Sequence, residues 1–201
     1  MRDTKHKIIL DLCGGTGAWS EPYRKAGYDV RLITLPEYDV REYNPPDEVY
    51  GILAAPPCTM FSHARTCAKK PRNLQEGMGL VIACLNIIWR CQYKYKTQNQ
   101  RKPPLKFWAL ENPCAMLNWF LGHPVLTFHP YEYGDGYSKK TCIWGYFNPP
   151  KKLDLWKRTY KFDALRVEEF SGLNYKNTKN RQTLRSITPP HFAQAFFEAN
   201  R

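Results

Sequence analysis

A chain of 201 residues, 43% hydrophobic and 14% aromatic, is long enough to bury one core and too apolar for intrinsic disorder. No run nears the ~18 consecutive apolar residues of a membrane span, and the charged start from Met1 to Lys7 is unlike a secretory signal, so a soluble cytoplasmic protein of one domain is expected. Thirty Lys plus Arg against eighteen Asp plus Glu leave a net charge of +12, which points to a polyanionic partner, nucleic acid first; the plainer reading is a solvated basic surface.

In chain order, Ile8 to Leu12 reads as a buried strand and Cys13-Gly-Gly-Thr-Gly17 as a glycine turn. Ala18 to Ala26 reads as a helix that tolerates Pro22 only in its first turn, and Tyr28 to Leu35 as a second strand. Such a βαβ unit opens a doubly wound, mostly parallel α/β sheet. Val49 to Ala55 is a further buried strand, stopped by Pro56-Pro57. Thr59 to Glu76 is polar and basic and reads as a mobile loop, and Gly77 to Lys94 as a helix by the spacing of Leu80, Cys84, Ile87, Ile88 and Cys91. After a polar connection, 97–104, Phe107 to Leu110 reads as a strand ending in Glu111-Asn-Pro113, with a short helix from Cys114 to Leu121. Thr141 to Phe147 alternates like a strand. A basic insertion follows at about 146–184, and Pro189 to Asn200 reads as a terminal helix with Phe192, Ala195, Phe196 and Ala199 on one face.

Seven cysteines stand at 13, 58, 67, 84, 91, 114 and 142. The odd count and the lack of paired short spacings argue against a disulfide framework. With no Cys-x-x-Cys and no histidine among them, no metal site is expected. Most read as small buried hydrophobes.

Three turns follow three strands, and in a parallel sheet all three meet at the carboxyl edge, where such folds bind ligands. The Asp11-to-Gly17 turn lets backbone pass close to a ligand, and the helix amino terminus beyond it suits a carboxylate or phosphate; the plainer reading is a tight turn. Cys58, at the end of a buried strand and stiffened by two prolines, has a fixed direction, and its thiolate would be a strong nucleophile; the alternative is a structural buried thiol. Glu111, with apolar Trp108 and Leu110 beside it, suits a general acid, or else a cap for the following helix.

These pieces, in this order, resemble the DNA cytosine-5 methyltransferase family, in a shortened form of the kind that bacteriophages carry. The resemblance runs from Asp11 to Asn200, and the Pro57-Cys58 and Glu111-Asn112 pair is its specific part. It implies a Rossmann-like fold and an S-adenosylmethionine cofactor held by Asp11, Cys13, Gly14, Gly15, Thr16 and Gly17. Glu37 or Asp39-Val40 would contact its ribose and adenine, and Ser186 and Thr188 would close the pocket. It implies further that Cys58 adds to carbon 6 of an extruded cytosine, Glu111 protonates or hydrogen-bonds ring nitrogen 3, and carbon 5 takes the methyl group. Lys139 and Lys140 stand where the family has arginines around the base, Cys13 where it has an aromatic, and Pro113 where it has a valine.

Ser62, Arg65, Lys69, Lys70 and Arg72 are expected to meet DNA as the loop closes, against the reading of a solvated basic loop. A recognition domain is replaced by the insertion, with Lys151, Lys152, Lys157, Arg158, Lys161, Arg166, Lys176, Lys179, Arg181, Trp156, Tyr160 and Tyr175, so weak sequence specificity is expected. The same chemistry on RNA or a free pyrimidine nucleotide, and a non-catalytic nucleic-acid-binding module, are the alternatives.

Overall fold

The computed structural model describes residues 7–63, 65, 68–93, 105–153 and 184–201. Six strands form one sheet: β1 (Ile8–Leu12), β2 (Asp29–Ile33), β3 (Gly51–Ala54), β4 (Phe107–Pro113), β5 (Leu126–Phe128) and β6 (Thr141–Tyr146). The helices are α1 (Glu21–Lys25), α2 (Leu74–Tyr93), α3 (Asn118–Leu121) and α4 (Pro190–Asn200), with a 3-10 turn at Pro130–Tyr133. Among the described residues no helix is long and apolar enough to cross a membrane.

The sheet order is β2-β1-β3-β4-β6-β5. The first four strands run parallel, while β6 is antiparallel to β4 and β5 antiparallel to β6. This is the expected α/β, Rossmann-like and mostly parallel architecture. The chain leaves β1 toward β2 on one side and returns to β3 on the other. The switch point therefore lies between β1 and β3, with the 13–17 turn and the Pro-Pro-Cys turn on its two sides.

Strand side chains alternate between two buried layers. Leu10, Leu12, Ile52, Ala54 and Leu110 pack with Val81, Cys84, Ile87, Ile88 and Cys91 of α2. Ile9, Leu53, Phe107, Ala109 and Ile143 pack with Trp19, Tyr23 and the Phe192, Phe196 and Phe197 rings of α1 and α4. Both faces are covered, so the central strands read as largely apolar runs, broken in β1 by Asp11.

Several expectations are corrected. The α1 helix begins at Glu21 rather than Ala18 and has five residues, so it supplies no anion-binding terminus next to the glycine turn. The α2 helix begins at Leu74, three residues before Gly77, because the Asn73 side-chain oxygen accepts the Glu76 backbone N–H at 3.0 Å as a cap. Glu111, Asn112 and Pro113 lie inside β4, opposite Ile143, Cys142 and Thr141, which excludes the capping role for Glu111. Only Asn118–Leu121 is helical in the 114–121 segment. Cys114 and Cys142 form a disulfide across the β4–β6 pair, against the expectation of none; their 28-residue separation hides a pairing that the antiparallel register creates.

The terminal helix buries Phe192, Ala193, Phe196, Phe197 and Asn200, a face turned from the expected one. Buried Asp135 sets that turn: its carboxylate accepts the backbone N–H groups of His191 and Phe192, each at 3.4 Å, and lies 3.0 Å from His191 Nδ1. Asn200 holds the other end through both Asn148 backbone groups. Cys67 and residues 154–183, with the insertion's lysines, arginines and aromatics from Trp156 to Arg181, lie outside the described residues.

Candidate active site

The turn that carries Cys58 is held by the protein's own bonds. Pro56 ends β3 and its carbonyl accepts the Asn112 side-chain amide at 2.9 Å. The Cys58 carbonyl accepts the backbone N–H groups of Phe61 and Ser62, both at 2.9 Å, and the Phe61 ring is fully buried beneath. The Arg72 guanidinium donates to the carbonyls of Met60 at 2.9 Å and Ser62 at 2.8 Å. Cys58 is thereby carried on a short turn with no slack. Burial pushes its thiol up, while Lys139 and Arg185 pull it down and Glu111 opposes them. The resting side chain is a thiol whose thiolate two cations favour.

The glycine turn lies across the switch point. Cys13 adopts φ 55° and Gly17 φ 72°, left-handed values that reverse the chain after β1. Gly14 sits directly over the Asp11 carboxylate, where a Cβ would collide with it. That carboxylate is wholly buried. Its Oδ2 accepts the Ser20 hydroxyl at 2.5 Å, while Oδ1 is buried with no partner. Burial pushes the Asp11 carboxyl up to about 6, against the Ser20 hydrogen bond and the Arg24 charge.

Between the two turns lies a cleft of about 70 Å³. Asp11, Cys13, Gly14, Gly15 and Thr16 line it from one side, Pro57 and Cys58 from another, and Glu111 from β4. Lys139 closes it, its Nζ 3.6 Å from Glu111 Oε1 with both side chains largely buried. Ser186 and Thr188 line it from the segment before α4. The Cys58 thiol, the Glu111 carboxyl, the Lys139 cation and the glycine turn, read from four separate stretches of sequence, thus share one cavity. Chemically the set can add a thiolate to an electron-poor ring, hydrogen-bond a ring nitrogen, and hold an ammonium group at Asp11.

Other expected residues fall elsewhere. Lys140 is exposed beside the cleft and does not line it. Glu37 is exposed on the turn after β2. Asp39 is held by Arg41, which keeps its carboxyl down at about 2, and Val40 is buried. Val40 instead lines a separate depression of about 630 Å³, with Arg41, Tyr43 and the Gly79–Arg90 face of α2. That depression is larger, yet it holds neither Cys58 nor Glu111. Asn112 is a positioning residue, since its amide is directed to Pro56. Arg72 also holds the turn rather than standing open to a phosphate, whereas Lys69 and Lys70 are exposed and Ser62 and Arg65 half-buried.

Sequence reasoning missed one contributor. Trp19 lines the cleft with its indole N–H buried and unpartnered; its place two residues past the glycine turn was the available signal. Arg185, which opens the segment of Ser186 and Thr188 expected to close the pocket, acts electrostatically on Cys58. Pro113, which stands where the resemblance has a valine, lines the cleft with Glu111.

No protein-family model matches this chain, and no curated protein matches it. Among solved structures it is similar to the crystal structure of S. pombe Dnmt2 methyltransferase, at 14% identity and a TM-score of 0.37. The match covers 87% of this chain and 57% of that one, so the chain spans little more than half the length of that protein.

Proposed function

We propose that the chain transfers a methyl group from S-adenosylmethionine to carbon 5 of a cytosine in DNA, with Cys58 as the covalent nucleophile. The observation that supports this reading most is the single cleft holding Cys58, Glu111, Lys139 and the unpartnered Asp11 oxygen. The donor set fits the cofactor. Asp11 Oδ1 suits its ammonium group, and the bare Gly14 and Gly15 backbone suits close approach. The cofactor, when bound, supplies an electrophilic methyl group. The cleft is only a few water volumes in size, so it must widen as a ligand enters.

In this reading the Cys58 thiol gives its proton to solvent as the cytosine arrives, and Lys139 and Arg185 favour the thiolate that remains. The sulfur bonds to carbon 6 and the carbon 5–carbon 6 double bond opens toward carbon 5, while Glu111 in its acid form donates its O–H to ring nitrogen 3 and takes that proton back when the ring is restored. After carbon 5 is methylated, its proton leaves to a base and the carbon–sulfur bond breaks, restoring the ring and the thiolate. The base must be out of the stack for Cys58 to reach it.

The test is transfer of labelled methyl groups to DNA, RNA and free cytidine nucleotides. Incorporation at carbon 5 of DNA cytosine, with a covalent adduct to 5-fluorocytosine DNA that Cys58→Ser cannot form, is the expected result. Transfer only to RNA or nucleotides would move the substrate. No transfer to any of them, or an adduct that survives Cys58→Ser, would overturn the reading.

A further inference from the structure

The segment after β4 carries a feature that folding does not require. After β4 the chain is pinned on every side. Leu117 is fully buried, the Met116 N–H reaches the Phe61 carbonyl at 3.4 Å, and the Trp144 indole donates to the Gly122 carbonyl at 2.9 Å. On this fixed turn Trp119 is 71% exposed and Phe120 47% exposed, with Val125 open just beyond. A lone exposed apolar side chain is ordinary. Two adjacent large rings on an immobilised turn are a prepared contact surface, because aromatics give area at low entropic cost.

The surface is continuous with the nucleophile turn. The Phe120 ring meets the Phe61 ring edge-on at 6.4 Å, and Arg72 is bonded to the carbonyls on both sides of Phe61. Exposed Lys69 and Lys70 precede Arg72 by three and two positions. Exposed aromatic rings linked through Phe61 to a turn that Arg72 holds, in a chain of net charge +12, match the stacked bases and phosphates of a nucleic-acid strand.

We infer that Trp119, with Phe120 as its inner neighbour, is a stacking platform for a base of the single-stranded segment flanking the cytosine at Cys58. This rests on the nucleic-acid substrate proposed above. It gives the short chain a means of holding a strand without reading its sequence, since every base has a stacking face.

The probe is a fluorescent oligothymidine of about ten nucleotides, which contains no cytosine, titrated against the full chain. Trp119→Ala should weaken binding about tenfold, while Trp119→Phe retains most of it. Trp89→Ala, removing a 50% exposed tryptophan on α2, should change nothing. The salt dependence of Trp119→Ala should equal the parent's, because no charge is lost. Equal binding by Trp119→Ala and parent, or equal weakening by Trp119→Ala and Trp89→Ala, would overturn the inference. So would a change in self-association, read by sedimentation, with oligothymidine binding untouched. If the parent transfers no methyl groups yet Trp119→Ala loses binding tenfold, the platform is supported and the reaction is what fails. If methylation proceeds and Trp119→Ala keeps the parent's affinity and KM for the strand, the platform fails alone.

Discussion

The two turns that face each other across the switch point are built in opposite ways. The turn that carries Cys58 is over-determined: Asn112, Arg72 and two backbone N–H groups fix the Pro56-to-Ser62 segment before any ligand arrives, and beside it, among the described residues, only the Asn112 side-chain oxygen is buried without a partner. The glycine turn is less satisfied: the Asp11 carboxylate oxygen and the nearby Trp19 indole N–H are buried without partners, and the cleft beside them is narrow. A reactive group gains from being held in place, since misplacement by about 1 Å can cost a hundredfold in rate. A binding group gains from being incomplete, because the ligand then relieves a penalty that the protein carries alone. The larger depression near Val40 has neither property, so size is a poor guide to chemistry in this molecule.

The largest expected effect comes from removing what the first turn presents. Cys58→Ala should abolish methyl transfer, by at least about a thousandfold, with S-adenosylhomocysteine binding near normal. Measurable turnover in that variant would mean that the rigid turn serves folding only.

The second turn should be broken by Asp11→Asn, and the two consequences have opposite signs. The native carboxyl titrates at about 6 against an ordinary 3.8. Between those values the native state holds more protons than the unfolded chain. The stability linked to Asp11 is therefore present below about pH 4 and lost as pH rises through about 6, a change on the order of 3 kcal/mol. Asp11→Asn should remove that pH dependence and raise the apo melting temperature at pH 7. The same change should weaken S-adenosylhomocysteine at least tenfold, and parent affinity should fall up to about tenfold per pH unit below 6. Calorimetry across pH 4 to 8 checks both signs; a variant that binds normally would show that Asp11 is only a buried structural acid.

A smaller effect is expected from Asn112→Ala, which leaves the Pro56 carbonyl without its buried donor. The cost should be about 1–3 kcal/mol of stability, with a lower kcat and little change in cofactor affinity. A loss of cofactor affinity with unchanged kcat would assign Asn112 to the other turn.

The contrast was only half visible in the sequence. Apolar runs at Ile8 to Leu12, Val49 to Ala55 and Phe107 to Leu110 mark three of the four parallel strands, and each is followed by a short motif that the sheet order brings together. Local signals such as these need no knowledge of distant residues. What escaped depends on partners far along the chain: Asp135 capping α4 across 56 residues, the Cys114–Cys142 bond, and Asn112 reaching Pro56. The short β5 strand carries too few residues for periodicity to reveal it. The α2 start was legible, since Asn73 and Glu76 have the spacing of a helix cap; the polar run before it hid the signal.

The smallest effect separates two kinds of cation on one loop. Lys69, Lys70 and Arg72 look alike in the sequence, as a basic stretch suited to phosphates. In the fold Arg72 donates to the Met60 and Ser62 carbonyls, while Lys69 and Lys70 are exposed. A cation that contacts phosphate releases counterions, and each contact contributes about 0.9 to the slope of log affinity against log salt. Lys69→Gln with Lys70→Gln should therefore flatten that slope by up to about 2 and leave the melting temperature unchanged. Arg72→Gln should do the reverse. It should keep the slope, lower stability by about 1 kcal/mol through the lost carbonyl bonds, and slow methyl transfer by loosening the turn that carries Cys58. DNA binding at several salt concentrations, with melting curves for each variant, decides. If Arg72→Gln alone flattens the slope while stability holds, Arg72 leaves its carbonyls for a phosphate on binding, and the nucleophile turn is less pre-set than its bonds indicate.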